Sequence, residues 1–183
     1  MHKPIVLIGG ASGCGKTTCA RELCCAMGFD HRQSTGFIRE ILREQISRQD
    51  CPLFFNHTFQ AADPVCALVT QSELIQPYVR ACIRRAQEEG TSLVLEGSHL
   101  LPALYHDLDC DLYVMLATPP LAEHQRRLLG SSHTQRPLSA TDMQRSRVIA
   151  EHLEHQAAAF GVARAPYQNA TQAILRLLRS ETA

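Results

Sequence analysis

The chain has 183 residues, a length that suits one domain burying roughly 70% of its unfolded surface without disulfide or metal staples. Lys plus Arg and Asp plus Glu both number 18, so no net positive field draws it to nucleic acid or to a membrane surface. With 45% hydrophobic and 20% charged residues it reads as globular, and no apolar run nears the roughly 18 residues of a membrane span.

Residues 5–8, Ile-Val-Leu-Ile, form a short apolar run that reads as a buried strand. The run stops at Gly9-Gly10, too soon for a signal-peptide core, so a cytoplasmic protein is expected. A helix should follow over residues 16–27, stopped by Gly28, and then a weak strand over 31–33. Phe37, Ile38, Ile41, Leu42 and Ile46 repeat at a helical period. Residues 50–69 show no clear period and carry Phe54, Phe55 and Phe59; a loop of that length in a small domain is usually functional.

Thr70-Gln71-Ser72-Glu73 has the form of a capping box, opening a helix that ends at Gly90. Residues 92–95 and 112–116 read as two more buried strands. Pro119-Pro120 can open a helix to Leu129, residues 130–137 are polar and irregular, and Ser139 to Asp142 form a second capping box for a helix to Phe160. A last strand over 162–165 and a helix capped by Asn169 complete the chain. Strands alternating with helices imply one α/β domain over residues 1–183, a parallel sheet of about five strands with helices on both faces. The eight cysteines have no Cys-x-x-Cys spacing and fit reduced core thiols better than a zinc site.

Gly10-Ala11-Ser12-Gly13-Cys14-Gly15-Lys16-Thr17, followed by Thr18, satisfies G-x-x-x-x-G-K-[ST] between the first strand and the first helix. Glycines let the backbone curl so that its N–H groups converge on one anion, and the helix dipole adds positive potential. Lys16 reaches the β and γ phosphates of a nucleoside triphosphate, and the Thr17 hydroxyl can ligate Mg²⁺. The chain has no Asn-Lys-x-Asp guanine motif, so ATP is the expected nucleotide, and a compact small-molecule kinase is the class that remains.

Two further features point the same way. Leu93-Val94-Leu95-Glu96-Gly97-Ser98-His99 is an apolar strand ending in an acid, so Glu96 can hold the water shell of Mg²⁺ or accept the acceptor's hydroxyl proton. His99 either touches substrate or is a hydrogen-bonded histidine in a turn. Arg126, Arg127, Arg136, Arg145 and Arg147 flank the polar stretch 130–137, as expected of a small lid over about 126–147. Arg126 and Arg136 are the lid residues expected to act in catalysis.

Ile8 to Thr18, Ser34-Thr35-Gly36-Phe37-Ile38-Arg39-Glu40 and Glu96-Gly97-Ser98-His99-Leu100-Leu101-Pro102 together resemble 2-phosphoglycerate kinase, a family that makes 2,3-bisphosphoglycerate from ATP and 2-phosphoglycerate. The resemblance implies a P-loop NTPase fold of the adenylate kinase-like superfamily. It also implies a small anionic acceptor held by Arg39, with Thr35 and His99 beside it. It extends to residues 144–161 and to Asn169, which would lie with the nucleotide. The family carries Ser-Thr-Asp-x-Ile-Arg-Glu at the second motif, where this chain has Gly36. Ser34-Thr35-Gly36 also echoes the acceptor-site motif of adenylate kinases, so a nucleoside monophosphate is the alternative acceptor. A monomer or homodimer acting on a small molecule is expected; the reading from another class is an ATP-binding regulator without an acceptor.

Overall fold

The computed structural model describes residues 3–129 and 138–181. β1 (Ile5–Gly9) is buried along its whole length, as a continuous apolar run of mostly β-branched residues requires. It pairs in parallel with β3 (Leu93–Gly97) on one side and β4 (Leu112–Leu116) on the other. β2 (His31–Ser34) and β5 (Ala163–Ala165) complete an all-parallel sheet of order β2-β3-β1-β4-β5.

Alternation along the strands assigns the faces. Val6, Ile8, Val94, Val114 and Leu116 pack with α1 (Lys16–Met27) and α7 (Ala170–Glu181). Ile5, Leu7, Leu93 and Leu95 pack with α2 (Thr35–Arg43), α3 (Pro64–Glu89) and the short α4 (Pro102–Tyr105). Met115 joins α6 (Ala140–Ala159) in a third cluster that reaches Ala11. α5 (Leu121–Leu128) follows β4. The expected α/β sheet, with helices on both faces, is present. No helix of the described residues is long and apolar enough to cross a membrane.

Element positions mostly follow the sequence reading. The Ser139–Asp142 capping box forms reciprocally, and Gly28 and Gly90 end their helices in left-handed conformation. Three expectations change. The helix expected from Phe37 starts at Thr35, because the Ser34 hydroxyl accepts from the Gly36 N–H. Phe37 and Ile41 are exposed despite their helical period, and only Ile38 and Leu42 of that set are buried.

The third change is largest. Thr70 to Glu73 do not cap a helix; α3 begins at Pro64, where the Asp63 carboxylate accepts from the Val65 and Cys66 N–H groups. Ser72 lies inside that helix and donates to the Leu68 carbonyl. The stretch expected to be aperiodic therefore moves toward the N-terminus, to residues 44–63, and holds two 3₁₀ turns, Pro52–Phe55 and Thr58–Gln60. Phe54 and Phe59 are core residues in it. All eight cysteines are free thiols, but only Cys14 and Cys19 are fully buried, and Cys25 and Cys66 are exposed. Burial pushes the Cys19 thiol up to about 11.

Candidate active site

The parallel register sets the site before any side chain is considered. Ile8 pairs with Glu96, and Glu96 with Ser34, so β1, β3 and β2 end level with one another. The strand order reverses direction at β1, which opens a crevice at the carboxyl ends of the strands.

The loop 10–15 leaves β1 in that crevice. Gly13 and Gly15 hold φ of 79° and 103°, backbone that a side chain strains, and a Cβ on Gly13 would press on Leu128 at 3.0 Å. Gly15 is the N-cap of α1, and no side chain caps that end, so the first-turn N–H groups face the loop. Lys16 is buried, and its Nζ donates to the Ala11 carbonyl at 2.7 Å, 3.9 Å from Cys14 Sγ.

Thr17 Oγ1 donates to Glu96 Oε1 at 3.0 Å. Alternation turns Glu96 to the α1 side of the sheet, where Thr17 waits at the first turn. A buried carboxylate beside a hydroxyl is an all-oxygen donor pair that suits a hard cation such as Mg²⁺. Among the described residues no three His, Cys, Asp or Glu side chains form a metal cage.

The second half-site is a buried polar network. Arg39 Nη1 donates to Gln71 Oε1 at 3.2 Å and its Nη2 to Glu40 Oε1 at 3.1 Å. His99 Nε2 lies 3.1 Å from the same Gln71 oxygen, and its Nδ1 lies 2.9 Å from Thr35 Oγ1. Burial, with Arg39 and Lys16 nearby, pushes His99 down to about 3, so the ring is neutral. Burial opposes ionisation of Glu40, but the bonds from Arg39 and Arg43 outweigh it and hold the carboxyl below its ordinary range. A Cβ on Gly97 would collide with Thr35, so only glycine lets α2 close onto β3 there. Thr35 and His99 are thus brought together with Arg39, but inside the protein rather than at its surface.

The helix α5 supplies two residues that sequence reading passed over or left unranked. His124 is fully buried, and its Nε2 lies 2.7 Å from the Ser12 carbonyl, to which it donates. Its Nδ1 has no hydrogen-bond partner among the described residues, and burial lowers its basicity. Arg127 lies against the loop, with Nη1 3.5 Å from where a Gly15 Cβ would be and its guanidinium 5.1 Å above the Tyr167 ring. Both arginines pair with Glu123, but Arg126 points to solvent, 74% exposed against 29% for Arg127. Nothing in the sequence separates the two arginines; the helical phase of α5 does.

Arg145 and Arg147 donate to the backbone carbonyls of Gln60 and Pro119. Arg136 and the stretch 130–137 lie outside the described residues. Asn169 is exposed, holds φ 54° and accepts at its carbonyl from Ala173 N, so it stands at the head of α7, beyond the carboxyl end of β5.

The chain matches no protein-family model. It is 28% identical over 157 residues to the 2-phosphoglycerate kinase of Methanococcus maripaludis strain C6, covering 75% of this chain and 50% of that protein. The 2-phosphoglycerate kinase of Pyrococcus furiosus is 35% identical over 108 residues, 54% of this chain and 36% of its own length. The chain therefore spans about half or less of these relatives.

Among solved structures, shikimate kinase from Acinetobacter baumannii superposes with a TM-score of 0.59 at 16% identity, over 97% of this chain and 94% of that one. A gluconokinase from Sinorhizobium meliloti 1021 gives 0.51 at 13% identity, over 98% and 91%. The chain shares the fold of these P-loop kinases, and its sequence similarity runs to 2-phosphoglycerate kinases.

Proposed function

We propose that the chain is an ATP-dependent kinase that phosphorylates a small anionic metabolite, with 2-phosphoglycerate as the first acceptor to test. The observation that carries this reading is the pairing of two half-sites across one strand end. Thr17 and Glu96 stand at the head of the phosphate loop, and Arg39, His99 and Thr35 stand one strand away. A nucleotide-binding regulator needs the first half-site but not the second.

In this reading the backbone of residues 10–18 cradles the phosphates and Lys16 draws charge from the γ-phosphoryl group. Mg²⁺, when bound, neutralises phosphate charge beside Thr17 and Glu96. Arg39 takes an oxygen pair of the acceptor's anionic group, which a guanidinium fork fits. The acceptor hydroxyl oxygen bonds to the γ-phosphorus, the bond to the β–γ bridging oxygen breaks, and ADP leaves. Glu96 either takes the hydroxyl proton or orders the water around the ion. Arg127 from α5, with Arg136 from the expected lid, covers the phosphates and keeps water out, while the solvent-facing Arg126 stands aside. Asn169 borders the nucleotide. The free thiols and the small-molecule chemistry fit a cytoplasmic monomer or homodimer.

The test is a panel assay. Purified chain is mixed with ATP·Mg²⁺ and 2-phosphoglycerate, other phosphorylated or hydroxy acids, or nucleoside monophosphates, and ADP and phosphorylated product are measured. Release of ADP with 2,3-bisphosphoglycerate is the expected result. Phosphorylation of a nucleoside monophosphate alone replaces the acceptor, and ATP binding with no turnover on any acceptor makes the chain a regulator. Gly36→Asp is a second handle, since the Gly36 Cβ direction meets only Ser34 Oγ at 3.4 Å. If 2-phosphoglycerate is the substrate, this substitution keeps or raises activity.

A further inference from the structure

The residue that organises the acceptor half-site lies within the stretch that reads in the sequence as a capping box. Gln71 sits inside α3 and is fully buried. Its side-chain nitrogen lies 2.6 Å from the Leu53 carbonyl and 3.0 Å from the Asn56 carbonyl. Carbonyls only accept, so these two contacts require the NH₂ end of the amide on that side. The amide oxygen is then turned the other way, toward Arg39 Nη1 at 3.2 Å and His99 Nε2 at 3.1 Å.

That oxygen also only accepts. The proton of the neutral His99 ring must therefore sit on Nε2, which leaves Nδ1 as an acceptor. Thr35 Oγ1, 2.9 Å from Nδ1, must then donate its hydroxyl hydrogen to it. Each step removes one freedom from the next: two backbone carbonyls orient an amide, the amide sets a tautomer, and the tautomer aims a hydroxyl. The same amide oxygen anchors the guanidinium of Arg39.

We propose that Gln71 is the positioning residue of the acceptor half-site, fixing Arg39 in place and holding His99 in its Nε2–H tautomer through the 53–56 segment. This rests on the functional reading above for what Arg39 binds, but not for the network itself. Gln71 touches no reacting atom. It ties three segments that are distant in sequence, the 53–56 turn, α2 and the loop after β3, so losing it removes the Nη1 anchor of Arg39, leaving the Glu40 bond to hold a shifted guanidinium, and lets the tautomer drift.

The test has a spectroscopic arm and a kinetic arm. Nitrogen-15 NMR of the wild-type chain without substrates should show His99 protonated on Nε2 and unprotonated on Nδ1. In Gln71→Leu, of similar volume, the Arg39 side-chain resonances should shift, and the acceptor KM should rise by at least about tenfold with the ATP KM nearly unchanged. Gln71→Glu is the second variant. It keeps an oxygen for Arg39 and His99, and its second oxygen can face the Leu53 and Asn56 carbonyls only when protonated, so the Nε2–H tautomer of His99 should persist.

A wild-type His99 protonated on Nδ1 overturns the proposal, and so does a folded Gln71→Leu whose Arg39 resonances and acceptor KM stay put. If the wild type turns over no acceptor, the functional reading fails by itself, and the tautomer and Arg39 resonances still decide the network.

Discussion

Substituting Glu96 by Gln keeps the shape of the side chain and an oxygen for the Thr17 hydroxyl, so the fold should survive intact. What disappears is the charge. Glu96→Gln is expected to lower kcat by about a hundredfold or more while ATP affinity changes far less, as for loss of an acid–base or ion-ordering group. Normal turnover would remove Glu96 from the mechanism. His99 makes a separate prediction about pH. Its basicity in the folded chain is pushed down to about 3, against 6.5 for the unperturbed ring, so the unfolded state binds the extra proton between those values. Stability on this account is complete above about pH 6.5 and declines as pH falls toward 3. His124 and His152 are shifted the same way and add to the slope. The carboxylates of Asp30 and Glu123, both held low by hydrogen bonds from cationic partners among others, contribute their stability in full above the ordinary carboxylate range and lose it only below, so they leave the slope between pH 7 and 5 unchanged. Melting curves from pH 7 to 5 should thus show a falling midpoint, and His99→Asn should flatten that fall. An unchanged slope would mean that the ring is not held neutral by its surroundings.

Elements decide which residues of a given type face the site, and here α5 carries the clearest contrast. Arg126 and Arg127 are neighbours in sequence, yet one is turned to solvent and the other lies on the phosphate loop. Arg127→Ala should cut kcat at least about tenfold, as loss of one charge-assisted contact worth roughly 1.5–3 kcal/mol implies. Arg126→Ala should leave kcat within about twofold, because an exposed ion pair contributes little. Equal losses in both variants would mean that α5 rotates or that the lid uses both. The same logic explains what sequence reading caught. Strands β1, β3 and β4 were legible because a parallel sheet covered on both faces demands unbroken apolar runs. Glu96 was legible because an acid closing such a run has few other uses. The start of α3 was not, because Thr70 and Glu73 have the spacing of a capping box, and only the bond of Ser72 back to Leu68 and the distant partners of Gln71 show that they are interior. Gln71 is paired with Leu53, Asn56, Arg39 and His99, contacts that no local pattern encodes. The true signal was Asp63-Pro64, an acid cap followed by proline at the first helical position. Asp63→Ala should therefore lower stability by about 1 kcal/mol without touching turnover, which denaturant melts would measure.

At the scale of the whole molecule, both half-sites hang on strand register rather than on any single loop. A ligand that bridges residues 10–18 and Glu96 holds three neighbouring segments together, so ATP·Mg²⁺ should raise the melting midpoint in proportion to the logarithm of its concentration. A midpoint indifferent to ATP would count against nucleotide binding altogether. The opposite edge of the sheet has another character. Gly28, Gly90 and Gly161 all end helices in the left-handed conformation just before the chain re-enters β2, β3 and β5, and a Cβ on any of them would meet nothing within 4 Å. These three turns lie at the strand starts, a full strand length from the phosphate loop. The end of the sheet away from the site thus has three turns with open space around them, although their left-handed backbone favours glycine itself. Added segments, fused partners or relocated chain ends can be grafted at those turns while the chemistry stays where it is, which makes Gly28 and Gly161 the places to open the chain for a circular permutant or an inserted reporter.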